Sequence, residues 1–258
     1  MPSPAAARLP AFRDEWRDFL RFARRPRVAP RLPGRQPGSG WWEDWFPALS
    51  VGRLLQWALA LWAINLVFLG PIALAAAGAG GAQHRLDISN IPWLQALLWA
   101  PVVEELVFRY GLRQPARALW LVPAAACALV SGPQWHTVAL VGAILLVCWL
   151  PCLRPPPSQR PPLPWAWRAT YLRWFPWVTH LACLAFAAVH LNNFNLNQTP
   201  VWLMPLLVLP QWLTGLVLAW LRVRRGIGAS MLLHGLFNGG PLLLVWIILQ
   251  TMGAAALT

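Results

Sequence analysis

Apolar residues run in long blocks along this chain, and polar residues are confined to short breaks between them. From residue 51 onward seven blocks read as membrane spans: 51–77, 91–115, 118–132, 135–153, 174–194, 200–221 and 227–250. The measure is the ~20 residues of helix needed to cross hydrocarbon. The third block is short, and the last is interrupted at Asn238-Gly239-Gly240-Pro241, so seven to eight crossings are expected. The pattern predicts an all-α, multi-pass membrane helical bundle with seven to eight transmembrane helices. It contains no internal repeat and no second, soluble domain.

Upstream of the blocks the pattern changes. Residues 11–25, AFRDEWRDFLRFARR, set Phe12, Trp16, Phe19, Leu20 and Ala23 at helical spacing, with arginines and acids on the other face. This predicts a short amphipathic helix on the inner membrane surface, with a partly disordered basic tail as the alternative. Charges interrupt the stretch, so it does not read as a signal peptide. Residues 26–40 are rich in Pro, Gly and Arg and read as a linker. The expected organisation is a basic cytoplasmic segment over 1–50 and a transmembrane domain over 51–258.

Composition supports the membrane reading. The chain is 58% hydrophobic and only 11% charged, whereas soluble domains carry roughly a quarter of charged residues. The net charge of +13 comes wholly from arginine, since the chain has no lysine. Ten of the 21 arginines precede Leu54, and most of the rest form short clusters between apolar blocks. That distribution is one of positive loops facing the cytoplasm rather than of a nucleic-acid patch. With the N-terminus inside, the clusters Arg113/Arg117, Arg154 to Arg173 and Arg222 to Arg225 share the cytoplasmic side, and Arg85 alone lies opposite. Cys127, Cys148, Cys152 and Cys183 lie in apolar segments and read as free buried thiols. Tryptophans such as Trp41, Trp42, Trp93, Trp174 and Trp177 flank the blocks, where amphipathic rings favour the headgroup region. Lysine-free, arginine- and tryptophan-rich usage suits a bacterium with a GC-rich genome, and so a bacterial inner membrane.

Ionisable groups inside spans are costly and mark function by default. After the first block the acids are Asp87, expected in an outer loop, and the adjacent Glu104 and Glu105. Glu105 is four residues before Arg109 and can pair with it along a helix. Adjacent helical residues point about 100° apart, so Glu104 faces elsewhere, toward other helices. His234 and Asn238 are likewise four apart and share a face. If the second helix runs on to Pro115, Glu104, His190 and His234 all approach mid-membrane by helical rise. If it ends at Arg109, Glu104 stays shallow and the three cannot meet. Such a set can hydrolyse an amide: a carboxylate withheld from solvent acts as general base toward water with a histidine positioning it. A second histidine and an amide can donate to the oxyanion.

The three stretches Glu104-Glu105-Leu106-Val107-Phe108-Arg109, Phe186-Ala187-Ala188-Val189-His190 and His234-Gly235-Leu236-Phe237-Asn238 resemble, in this order, the motifs of the CAAX prenyl protease and bacteriocin-processing (CPBP) family of intramembrane endopeptidases. The resemblance spans residues 100–240. It implies Glu104 as the water-activating base with His190 assisting, His234 and Asn238 as the oxyanion site, and Glu105, Arg109 and Phe186 in support. The family usually has its second motif one span after the first, whereas here a hydrophobic segment and a basic loop, about 135–172, intervene. His136 lies nearer the usual distance, but Gly132 stands where phenylalanine belongs, so His190 is preferred.

The implied partner is a peptide or the C-terminal tail of a membrane-associated protein, within the lipid bilayer and with no nucleic acid. No cofactor is expected; the alternative is a divalent metal such as zinc on Glu104, His190 and His234. Ser230, four residues before His234, offers a serine-nucleophile reading that leaves both glutamates unexplained. His84, His136 and His180 read as structural or interfacial. A buried ion-pair network, or a non-catalytic protein of the same fold (an immunity factor, a scaffold or a transporter-like relay), is the alternative to an enzyme.

Overall fold

A computed structural model describes residues 10–32, 42–46, 49–86, 90–150 and 165–255. Asp87, Cys152, the linker beyond Leu32 and the basic loop before Trp165 lie outside the described residues. The helices are α1 (Phe12–Arg24), α2 (Trp42–Trp45), α3 (Val51–Ile64), α4 (Gly70–Gly80), α5 (Ala100–Phe108), α6 (Pro115–Ser131), α7 (Trp135–Trp149), α8 (Trp165–Val189), α9 (Met204–Leu207), α10 (Leu209–Arg224) and α11 (Ile227–Ala255). Two short strands, β1 (Gln83–His84) and β2 (Phe194–Asn195), pair antiparallel beyond the far ends of α4 and α8.

The centre of the bundle is α10, in which every residue from Thr214 to Val223 is buried. Around it pack α8, α11 and α1, and α3 meets it where Trp57 stacks near Trp220, while α6 packs on α5 and α7 on α6. Large apolar side chains such as Leu59, Phe68, Leu74, Leu119, Val130, Leu181 and Leu184 are more than half exposed. In water such a surface would aggregate, and in a bilayer it is the lipid-facing side. The molecule is thus a multi-pass helical membrane protein.

Among the described residues three helices are long and apolar enough to cross a membrane: Val51–Gly80, Trp165–Asn193 and Ile227–Thr251. A fourth is reached if Val201–Leu207 and Leu209–Arg224, bent by 49°, count as one span. The expected number was seven to eight. The blocks at 118–132 and 135–153 are realised as α6 and α7, of 17 and 15 residues, which fall short of the length criterion. The block at 227–250 is not two segments, because α11 continues unbroken through Asn238-Gly239-Gly240-Pro241.

The block at 91–115 departs furthest from expectation. Its α-helix stops at Phe108, Arg109 takes a non-helical φ of −126°, and a 3₁₀ turn, Tyr110–Leu112, leads into α6. The helix carrying the glutamates therefore does not run on to Pro115. The end of this helix is not at a membrane surface, because N-terminal residues cover it, and Glu104 can therefore meet His234 without the extension to Pro115. Arg222 donates from Nε to Arg109 O at 3.2 Å and from Nη2 to Tyr110 O at 3.2 Å. Arg113 reaches Ala29 O and Val223 O.

This cover is made by α1, residues 28–32 and α2. The acids of the N-terminal segment meet the arginines that close α10. Glu15, 1% exposed, pairs with Arg225 and receives Trp57 Nε1 at 3.1 Å. Asp18 pairs with Arg224 Nε at 2.7 Å, and Asp44 with Arg222 Nη1 at 2.5 Å and with Arg31. The chain then turns from α10 into α11 at Gly226, whose φ is +126°, and a Cβ there would lie 2.6 Å from Asp44 O. Only glycine suits both the angle and the approach.

Two π turns interrupt otherwise α-helical spans: Asn65–Leu69 between α3 and α4, and Gln95–Trp99 before α5. Each stands immediately before an X-Pro pair, Gly70-Pro71 and Ala100-Pro101. Proline has no N–H and its ring crowds the carbonyl four residues back, so the chain widens by one residue ahead of it. Gly70 N and Ala100 N accordingly bond to carbonyls five residues back, Asn65 O and Gln95 O.

Candidate active site

The end of α5, the start of α11 and the end of α8 bring the three sequence motifs together around Phe186. Glu105 is fully buried and bound from three directions. Arg109 Nη1 stands 2.5 Å from Glu105 Oε1, the four-residue pair that the spacing predicts, and His234 Nδ1 donates to the same oxygen at 3.0 Å. Ser230 Oγ reaches Glu105 Oε2 and also lies 3.0 Å from Leu218 O. Ser230 and His234 are one turn apart on α11, so both oxygens of the carboxylate are held by a single helix face.

Glu104, adjacent in sequence, is handled differently. It is 9% exposed, and its Oε2 has no hydrogen-bond partner among the described residues. His234 Nε2 lies 3.7 Å from that oxygen, beyond a direct hydrogen bond. His234 thus stands between the two glutamates, fixed by Glu105 at one nitrogen and turned toward Glu104 with the other. A single histidine carries the contact that sequence reasoning assigned to no particular pair.

His190 follows α8 directly, in the 3₁₀ turn His190–Asn193. Its Nδ1 lies 2.8 Å from Phe186 O, and since a carbonyl only accepts, Nδ1 carries a hydrogen and Nε2 is the ring nitrogen not engaged by the backbone. His190 and His234 both lie against Phe186. Phe186 is the shared wall. The Arg109 guanidinium lies 3.8 Å from the ring centroid, while His190 and His234 approach at centroid separations of 4.7 and 5.7 Å. The close stacking needs Gly215 behind it, because a Cβ there would lie 3.1 Å from Phe186 and 3.4 Å from Arg109 Nη2.

Asn238 donates from Nδ2 to Ala96 O at 3.0 Å. In the π register that begins with Ala100 bonding Gln95, Ala96 O would take its hydrogen from residue 101, which is proline. Asn238 fills the position of the missing N–H. Gly235 and Gly239 permit the approach: a Cβ at Gly235 would lie 2.8 Å from Leu97 O, and one at Gly239 2.7 Å from the Leu97 side chain.

His84 lies in β1, outside this group, and His136 packs against Trp135. Ser230 was legible only as a faint nucleophile, yet its hydroxyl is committed to Glu105 and Leu218 O. The contribution of Gly215 carried no signal in the sequence. Among the described residues no three His, Cys, Asp or Glu side chains form a group that could hold a metal ion. Glu104, His190 and His234 do not form such a set.

Residues 160–240 match the family model described as Rce1-like, type II CAAX prenyl endopeptidase Rce1-like. This is the family to which the three motifs point. The matched stretch contains Phe186, His190, His234 and Asn238, while Glu104, Glu105 and Arg109 lie upstream of it. Neither the curated proteins nor the solved structures contain a match to the chain.

Proposed function

We propose that this protein is a CAAX-type intramembrane endopeptidase that uses Glu104 as its base. The observation that carries the reading is the contrast between the adjacent glutamates. Glu105 is saturated by Arg109, His234 and Ser230, whereas Glu104 keeps a buried oxygen without a partner 3.7 Å from His234. A buried carboxylate oxygen left open is expensive to keep, and a hydrolytic base must be open to water.

In this mechanism Glu104 Oε2 takes a proton from a water that His190 Nε2 also orients. The water oxygen forms a bond to the peptide carbonyl carbon, and the carbonyl electron pair moves to oxygen. In its imidazolium form, with Nδ1–H anchored on Glu105, His234 donates Nε2–H to that oxyanion. The second hydrogen of Asn238 Nδ2 is the further donor. The oxyanion pair then re-forms the C=O as Glu104 returns its proton to the amide nitrogen and the C–N bond breaks. The substrate class is a peptide or C-terminal tail of a membrane-associated protein. We place the chain in a bacterial inner membrane with the N-terminal cover on the cytoplasmic side, where its arginines follow the positive-inside rule.

Purified full-length protein, incubated with peptides carrying a Cys-Ala-Ala-X tail, tests the assignment. Glu104→Gln is expected to lower kcat by at least ~10³-fold, the scale for loss of a general base together with its charge. Cleavage is expected to survive a chelator. Cleavage retained by Glu104→Gln would sink the reading.

A further inference from the structure

Beyond the ionic network, away from the N-terminal cover, lies a second tier of polar side chains. Trp57 of α3 and Trp220 of α10 meet with ring centroids 4.7 Å apart, which sets a common level in the two helices. Asn65 is eight residues further along α3 and its π turn, and Gln211 is nine residues back along α10. At about 1.5 Å per residue both stand roughly 12–14 Å above that level. Gly215, beside Phe186, stands roughly 7–8 Å above it. His190 is one turn past Phe186, and Asn238 one turn past His234, so each rises about 6 Å further and reaches the level of Asn65 and Gln211.

The faces agree as well as the levels. Asn65 continues the buried stripe Leu54, Trp57, Ala58 and Leu61, which looks inward. The π turn it opens packs against α10. Gln211 lies one turn before Gly215, on the side of α10 that meets Phe186 and Arg109. Asn65 is 9% exposed, yet neither Oδ1 nor Nδ2 has a hydrogen-bond partner among the described residues, and the buried Gln211 Oε1 has none either. Buried amide groups are almost always bonded, so unmade bonds of this kind call for a ligand or a cost in stability.

We propose that Asn65 and Gln211 form a subsite for the backbone of the substrate peptide. Asn65 offers a donor and an acceptor, the pair that an extended strand's C=O and N–H require, and Gln211 Oε1 accepts a second substrate N–H. Placed level with His190 and Asn238, they hold the chain flanking the scissile bond above Glu104 and His234. The inference rests on the endopeptidase reading and names where that substrate is gripped.

The test measures binding in the Glu104→Gln background, where no turnover intervenes. The probes are a fluorescent prenylated Cys-Ala-Ala-X peptide, the same peptide without its prenyl group, and versions with single N-methylated backbone amides. Asn65→Leu, of similar volume, is expected to weaken binding about tenfold, the equivalent of one hydrogen bond. It should also abolish the penalty of one N-methylation that the parent protein feels. The same change is expected to raise the thermal unfolding midpoint, because it removes an unpaired buried amide. Unchanged binding, a lowered midpoint, or no binding of either peptide to the parent would overturn the subsite. Asn65-dependent binding of a peptide that protein with Glu104 intact fails to cleave would instead overturn the endopeptidase reading and leave the subsite standing.

Discussion

Glu104 and Glu105 are chemically identical neighbours, and the helix alone makes them different. A 100° step aims one at Arg109 and the Ser230/His234 face of α11, and leaves the other beside the outer nitrogen of His234. The division was legible from spacing, since Glu105 and Arg109 are four residues apart. The partner that joins both acids was not, because the contact with His234 crosses about 130 residues of chain and depends on how α5 and α11 pack. Ser230 separates two chemistries. If its hydroxyl serves to hold Glu105, Ser230→Ala lowers kcat about 10- to 150-fold with KM little changed, at the ~1.5–3 kcal/mol typical of a hydrogen bond to a charged group. A serine nucleophile predicts loss of all turnover, so single-turnover cleavage by the variant decides between them.

At the scale of elements, the two π turns explain why periodicity read the blocks but not their joints. Apolar periodicity registers where a helix lies in hydrophobic surroundings; it does not register a shift of one hydrogen bond ahead of a proline. The Gln95–Trp99 turn and Asn238 form one device: Pro101 withholds an N–H, and an amide from another helix supplies it. Asn238→Ala is expected to destabilise the fold by about 1–3 kcal/mol, the cost of an unpaired buried carbonyl. In a Pro101→Ala background, which returns an N–H to the helix, the same change is expected to cost less. A double-mutant cycle on unfolding in detergent reads the difference, and additive effects would separate the two residues.

Across the whole molecule, the arginines at the end of α10 illustrate how far sequence reasoning reaches. Their number and clustering were readable, and the positive-inside rule turns them into an expected orientation. Their function in the fold was not, because their partners, Glu15, Asp18 and Asp44, sit near the other end of the chain in a segment that reads as a surface helix and linker. Breaking one buried pair leaves a charge without its counterpart. Glu15→Gln is therefore expected to lower stability by about 3 kcal/mol, checked by thermal unfolding in detergent. Replacing Glu15 and Arg225 together by apolar residues of similar size is expected to cost less.

The N-terminal cover also bears on the order of events during synthesis. Asp18 leaves the ribosome 206 residues before its partner Arg224, an interval of about 10–40 s at 5–20 residues per second. Throughout that time α1 is complete, but the end of α10 with which it pairs does not yet exist. α1 cannot complete its ion pairs until α10 has emerged, and the chain's biogenesis includes a waiting step that its finished structure conceals.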